Sequence, residues 1–233
     1  MSQTIDYRKY PLPRSRHHVS ANQYVPLAQL KVELAYYPPV VQACAWSELY
    51  ANGLAPEFID IGCGLGKFLL ETSLSYPQVN MLGLEVRKYA VDWIQSVIAG
   101  EHLPNVAALW YNVANGLRFI ESASVERVFY FFPDPWFKRR HFSRRAFTPA
   151  LLDECARVLK PDGTMYLMTD VPAVDEYHRH TLINHGVFVY EYCPHDAAGD
   201  EAWGLHVRTN QEEFCIKKRL PYVRMKCRKR SAR

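Results

Sequence analysis

The chain has 233 residues, 48% hydrophobic and 22% charged, a balance that excludes a disordered or low-complexity protein and fits one large domain. No apolar run approaches the roughly 18 residues needed to cross a bilayer, and the N-terminal MSQTIDYRKYPLPRSRHH has no apolar stretch of signal-peptide type, so a cytoplasmic, non-membrane protein is expected. The net charge of +4 is unevenly spread: residues 1–18, 138–145 and 217–233 hold 18 of the 28 Lys and Arg but one of the 24 acids. An acidic body with concentrated basic strips suggests a polyanionic partner met at defined places. For 217–233 alone, a solvated basic tail fits equally well.

In chain order, residues 1–50 are rich in Pro, Tyr and His and read as a partly flexible extension, with a short helix near 39–51 leading into a domain over 51–233. EFIDI (57–61) is a short apolar strand ending in glycines, and 66–76 has helical spacing. Strand 79–86, helix 88–99 and strand 105–112 follow. VERVFYFF (125–132) is apolar throughout, as for a strand buried on both faces of a parallel sheet. Thr148 and Pro149 mark a helix start at 148–159. Pro161-Asp162-Gly163 predicts a turn, with a strand at 164–170, a helix of about ten residues and a strand at 186–192. This alternation predicts an α/β fold, a mainly parallel, doubly wound sheet with helices on both faces. Its ligands belong beyond the carboxyl ends of the strands. The polar residues and glycines do concentrate there.

Three groups of residues carry chemistry. Asp60-Ile-Gly62-Cys-Gly64-Leu-Gly66 leaves the first strand and opens a helix, so its backbone can approach a ligand closely. An acid just before the glycines disfavours a pyrophosphate and suits a cationic ligand; a purely structural turn is the alternative. Glu85, 19 residues past Gly66, can accept from both ribose hydroxyls of a nucleoside. Asn112 ends the third strand, where an amide can pair with an adenine edge. Together these favour S-adenosylmethionine over a dinucleotide. The third group runs from Phe131 to Arg145 (FFPDPWFKRRHFSRR), in which Pro133 and Pro135 stiffen the turn holding Asp134. A Pro-rich linker with a basic loop is the bland reading.

FPDPWxKxRHxxRR, with DIGCGxG and GLEVR, resembles the bacterial tRNA guanine-N7 methyltransferases, from about residue 57 onward. The resemblance implies a Rossmann-like class I methyltransferase that uses S-adenosylmethionine and acts on tRNA. It implies cofactor contacts from Asp60, Gly62, Gly64, Gly66, Glu85, Asn112 and Asp134, with Asp134 also catalytic. Lys138, Asp170, Thr209 and Glu212 would contact substrate, Asp170 by accepting from guanine N1–H and the 2-amino group. Arg139, Arg140, His141, Arg144 and Arg145 would face tRNA phosphates, while Trp136 or Phe142 stacks on a base or simply packs. Thr209 and Glu212 equally match a helix capping box, and His141 fits either a phosphate contact or a loop cap.

This chain departs from the family in having Asp60 where many members have Glu, in the segment after Glu212, and in its first 50 residues. An exocyclic amino methyltransferase has a related turn, but with consecutive prolines after the acid, where this chain has Trp136. A non-catalytic RNA-binding descendant would be expected to lose Glu85 or Asp134, and both are present. The six cysteines form no CxxC pair and His17-His18 stands alone, so no metal is expected. Cys63, between glycines, reads as a small filler.

Overall fold

Phe58–Ile61 (β1) and Met81–Glu85 (β2) are buried at every position, which explains why they are apolar runs without alternation. The computed structural model describes residues 4–13, 21–32, 34–136 and 138–230; His17, His18 and Phe137 lie outside them. The other strands are Val106–Trp110 (β3), Val125–Phe131 (β4), Leu159–Thr169 (β5), Phe188–Tyr192 (β6) and Val223–Lys229 (β7). Among the described residues these form one seven-stranded sheet in the order β3-β2-β1-β4-β5-β7-β6. The first five pair in parallel, while β7 runs antiparallel between β5 and β6. The strand order reverses between β1 and β4, and the crevice beyond their carboxyl ends is where a ligand belongs.

The pleat sends alternate residues to two cores. Ile59, Ile61, Leu84, Val128, Tyr130 and Leu167 pack with Leu151 and Leu152 of Pro149–Val158 (α4) and Leu182 of Pro172–His185 (α5). Phe58, Met81, Phe129 and Met168 face the other way, onto Lys67–Ser75 (α2) and Lys88–Glu101 (α3). Trp203 closes that layer from Ala197–Trp203 (α6), which follows β6. The sheet is therefore covered on both faces, the doubly wound arrangement expected. Thr148 caps α4 through its side chain and Pro149 takes the first turn, as the sequence indicates.

Three expectations change. Of the helix near 39–51, only Trp46–Leu49 (α1) forms, because Pro38, Pro39 and two β-branched valines precede it. Pro161–Gly163 is not a turn ahead of a strand that starts at 164 but lies within β5, which begins at Leu159 directly after α4. β4 pairs Val125 with Leu159 but Arg127 with Thr164, so Lys160–Gly163 bulges from an otherwise continuous β5.

The basic segment 217–233 is also not simply a tail. Its first part belongs to Asn210–Lys218 (α7) and its middle is β7. Arg224 and Lys226 are buried, lying 5.7 Å from the Trp203 ring and 5.4 Å from the Tyr166 ring respectively. Lys217, Lys218, Arg219, Arg228 and Arg230 are exposed. Among the described residues of the segment, that outer set is the one most open to a polyanion.

Candidate active site

The chain leaves β1 into the glycine turn Gly62–Gly66, which opens α2. Gly62 has φ +73° and a Cβ there would meet nothing within 4 Å, so its requirement is conformational. Gly66, also at +73°, needs to be glycine twice over, because a Cβ would lie 2.8 Å from Ile94 Cγ1. Beside the turn, Asp60 is 4% exposed and, among the described residues, pairs with no cation. Burial, reinforced by Glu85, pushes its pKa up to about 8.

Glu85 ends β2 and is 3% exposed. One oxygen accepts from Gly64 N–H at 2.9 Å and Arg87 Nη2 at 3.1 Å; the other accepts from Arg87 N–H at 3.0 Å and Nε at 2.9 Å. Arg87 thus fills much of the acceptor capacity that a ribose would use, and freeing it requires the guanidinium to move.

Across the switch point, β4 ends in Phe132-Pro133-Asp134-Pro135-Trp136. Phe132 and Trp136 have φ of +47° and +35°, unusual for side-chain-bearing residues and costing on the order of 1 kcal/mol each. Asp134 is exposed, between two prolines and two strained residues. The Tyr24 hydroxyl lies near its carboxylate, and the Tyr24 ring meets Trp136 edge-on at 5.1 Å. Tyr24, Gly62, Glu85, Asn112 and Asp134 line one cleft, and Asp60, Gly62–Gly66 and Thr209–Gln211 line a second that shares Gly62, Phe131 and Phe132 with it.

A family model described as a putative methyltransferase matches residues 54–222. The chain is 32% identical to the tRNA (guanine-N(7)-)-methyltransferase of Synechococcus sp. (strain JA-2-3B'a(2-13)), covering 92% of this chain and 86% of the relative. It is 30% identical to the enzyme of that name from Mus musculus, covering 87% and 85%. The chain belongs to the tRNA (guanine-N7)-methyltransferase family. The similarity is not confined to bacteria, and its extent includes much of the first 50 residues, where sequence inspection found little. A 16S rRNA methyltransferase, KamB, superposes with a TM-score of 0.53 at 18% identity, covering 79% and 90%, which establishes the shared class I methyltransferase fold.

The site fits the family's cofactor, S-adenosylmethionine. Asp60 is a buried acid that pairs with no cation among the described residues, and it lines the second cleft together with the glycine turn. A cationic ligand binds the ionised form, so uptake of S-adenosylmethionine at pH 7 should release close to one proton from Asp60, and affinity should rise as pH approaches about 8. Titration calorimetry in two buffers of different ionisation enthalpy measures this, and Asp60→Asn should abolish the release.

Asn112 departs from expectation. Its Nδ2 donates to Gln23 O at 2.9 Å, Val25 O at 3.1 Å and Tyr37 Oη at 3.1 Å, while Oδ1 accepts from Ala114 N–H at 2.9 Å. Its amide hydrogens thus latch the segment around residues 21–25 beside the cleft, and what remains toward a ligand is the second acceptor position of Oδ1.

The substrate residues divide similarly. Asp170 follows β5, is half-buried, and accepts from Gln211, which lines the second cleft. Thr209 accepts from Glu212 N–H at 3.0 Å, the cap that its spacing allows, but Glu212 turns away to accept from Tyr222 Oη at 2.9 Å. Glu212 is buried, which raises its pKa.

In the loop, Lys138, Arg139 and Arg140 are exposed. Arg144 lies 5.0 Å over the Trp136 ring. Arg145 corrects the phosphate-contact expectation: Nη2 donates to Trp136 O at 3.2 Å and the guanidinium sits 3.8 Å from the Phe142 ring and 4.4 Å from that of Tyr177. It braces the turn. His141 accepts from Arg140 Nε at 3.2 Å, and desolvation and the neighbouring cations lower its pKa. That bond to a neighbour within the loop fits a loop cap, and it leaves Nδ1 uncommitted.

Sequence reasoning missed Tyr24, Gln211 and Arg87. Arg87 alone had a local signal, standing two residues past Glu85 in GLEVR.

Proposed function

We propose that this protein transfers the methyl group of S-adenosylmethionine to N7 of a guanine in tRNA, with Asp134 beside the reacting base. The observation that carries this reading is the rigid, exposed carboxylate of Asp134 at the sheet's switch point, next to the glycine turn and at the head of an exposed cationic loop. S-adenosylmethionine supplies, when bound, an electrophilic methyl carbon on a sulfonium. Guanine N7 has a lone pair and no proton, so the nucleophile needs no base. Positive charge develops on the purine as the bond forms, and a fixed carboxylate stabilises it. Asp134 therefore orients and stabilises; it takes no proton in the step. Holding it between prolines keeps the alignment that a displacement in line requires. Asp170 accepts from the guanine edge, and that edge is what distinguishes guanine from adenine.

Lys138, Arg139 and Arg140 hold phosphates. Replacing all three with alanine should weaken tRNA binding and lower the slope of log K against log salt by about 2 to 3, as loss of two to three phosphate contacts does. The same measurement on Arg145→Ala should leave the slope unchanged. Among the described residues no helix is long and apolar enough to cross a membrane, and we place the enzyme in the cytoplasm with its tRNA. The direct test is incubation with labelled S-adenosylmethionine and unmodified tRNA, followed by nucleoside analysis. N7-methylguanosine is expected. Label on an adenine or cytosine amino group overturns the chemistry, and no transfer despite cofactor binding overturns the enzyme reading.

A further inference from the structure

We infer that Gln211 is the residue that sets the orientation of Asp170, making guanine selectivity in this chain depend on a neutral amide on the first turn of α7. The inference rests on the reading of Asp170 as the carboxylate that meets the guanine edge. Gln211 Nε2 donates to Asp170 Oδ2 at 2.8 Å, across 41 residues of sequence. One turn along the helix, the Cys215 thiol points at the same oxygen from 3.9 Å, and it lies 4.0 Å from Gln211 Nε2. Cys215 is fully buried and its pKa is raised by that burial, so it remains a thiol with a hydrogen to offer. Both donors therefore converge on Oδ2. Among the described residues none donates to Oδ1.

A carboxylate has about four acceptor directions. Gln211 uses one strongly, restrains the group through Oδ2, and leaves Oδ1 without a donor among the described residues. Guanine presents two donors, N1–H and the 2-amino group, so what matters is that this plane is held when the base arrives. A cation at position 211 would neutralise Asp170; a carboxylate would repel it. An amide donor does neither.

The clamp is itself anchored. Glu213 pairs with Lys67 Nζ at 2.5 Å, joining α7 to α2, and Thr209 caps the turn that carries Gln211. Thr209, Asn210 and Gln211 face the glycine turn and Asp60 across the second cleft. The first turn of α7 thus touches the cofactor side with one face and holds Asp170 with another.

The test uses the full-length protein and tRNA carrying guanine or inosine at the methylated position, since inosine keeps N7 and N1–H but lacks the 2-amino group. Wild type should prefer guanine by at least about tenfold in kcat/KM, the loss expected for one hydrogen bond to a charged acceptor. Gln211→Ala and the isosteric Gln211→Glu should each cut that preference to within about threefold, the change residing in KM. Asp170→Asn separates the layers. If Asp170→Asn loses the preference and both Gln211 variants keep it, Gln211 is not the positioning residue. If wild type shows no preference, or Asp170→Asn retains it, the reading of Asp170 fails and the inference falls with it.

Discussion

Replacing Asp134 with asparagine should reduce single-turnover methyl transfer by about 10²- to 10³-fold, the usual cost of removing one preorganised electrostatic group, while tRNA binding stays equal or tightens. The direction of the binding effect follows from charge. Asp134 is an exposed anion close to the loop that carries Lys138, Arg139 and Arg140, and taking a negative charge away from a polyanion's path does not weaken its attraction. The rate effect follows from geometry. Two prolines and the positive φ of Phe132 and Trp136 fix the backbone on either side, so asparagine should occupy the same place with the same shape and lack only the charge. Anisotropy with labelled tRNA and a rapid-quench methylation assay separate the two. A variant retaining more than a tenth of the wild-type rate would remove the electrostatic role from Asp134.

The second large effect is on stability. Arg224→Met should destabilise the protein by about 3 kcal/mol, lowering Tm by roughly 6–12 °C for a domain of this size. The Arg224 side chain is 5% exposed; it pairs with Asp200 at 2.6 Å and donates to the carbonyls of Cys193, at 3.3 Å, and Pro194. Methionine fills much of the volume but leaves two inward carbonyls without a donor. The control is Lys217, Lys218 and Arg219 changed together to glutamine, which should move Tm little because all three are exposed. Thermal melts of both proteins decide the matter. A melt for Arg224→Met as high as the control's would mean that the buried guanidinium contributes nothing to the fold.

That contrast also shows where sequence reading stopped. The strip at 217–233 has nine cations and no acid, and charge density alone cannot separate a solvated cation from one lying under a cover. The cover is α6 and Trp203, set by packing against Tyr166 and Phe131 at ring distances of 5.1 and 6.1 Å. No local pattern announces it. By contrast, Asp60–Gly66, Glu85 and Asp134 were legible because strand ends, glycine turns and proline-flanked acids are specified within a few residues. Asn112 lies two residues past β3, and the partners of its amide hydrogens have no local signal. Those partners, Gln23 and Val25, come from almost 90 residues earlier. Gln211 was invisible for the same reason: an amide on a helix acquires a role only when the fold brings Asp170 to it.

The latch from Asn112 to Gln23 and Val25 has a practical corollary for anyone trimming this protein. The stretch matched by the family model is 54–222, yet the cleft is walled by residues that precede it, and β7, which joins β5 to β6, starts at Val223. A chain shortened to the inherited segment would expose the edge of β5, strand β6 without a neighbour, and leave one side of the cleft open. Shared ancestry and cooperative folding draw different borders here. Expression should follow the second.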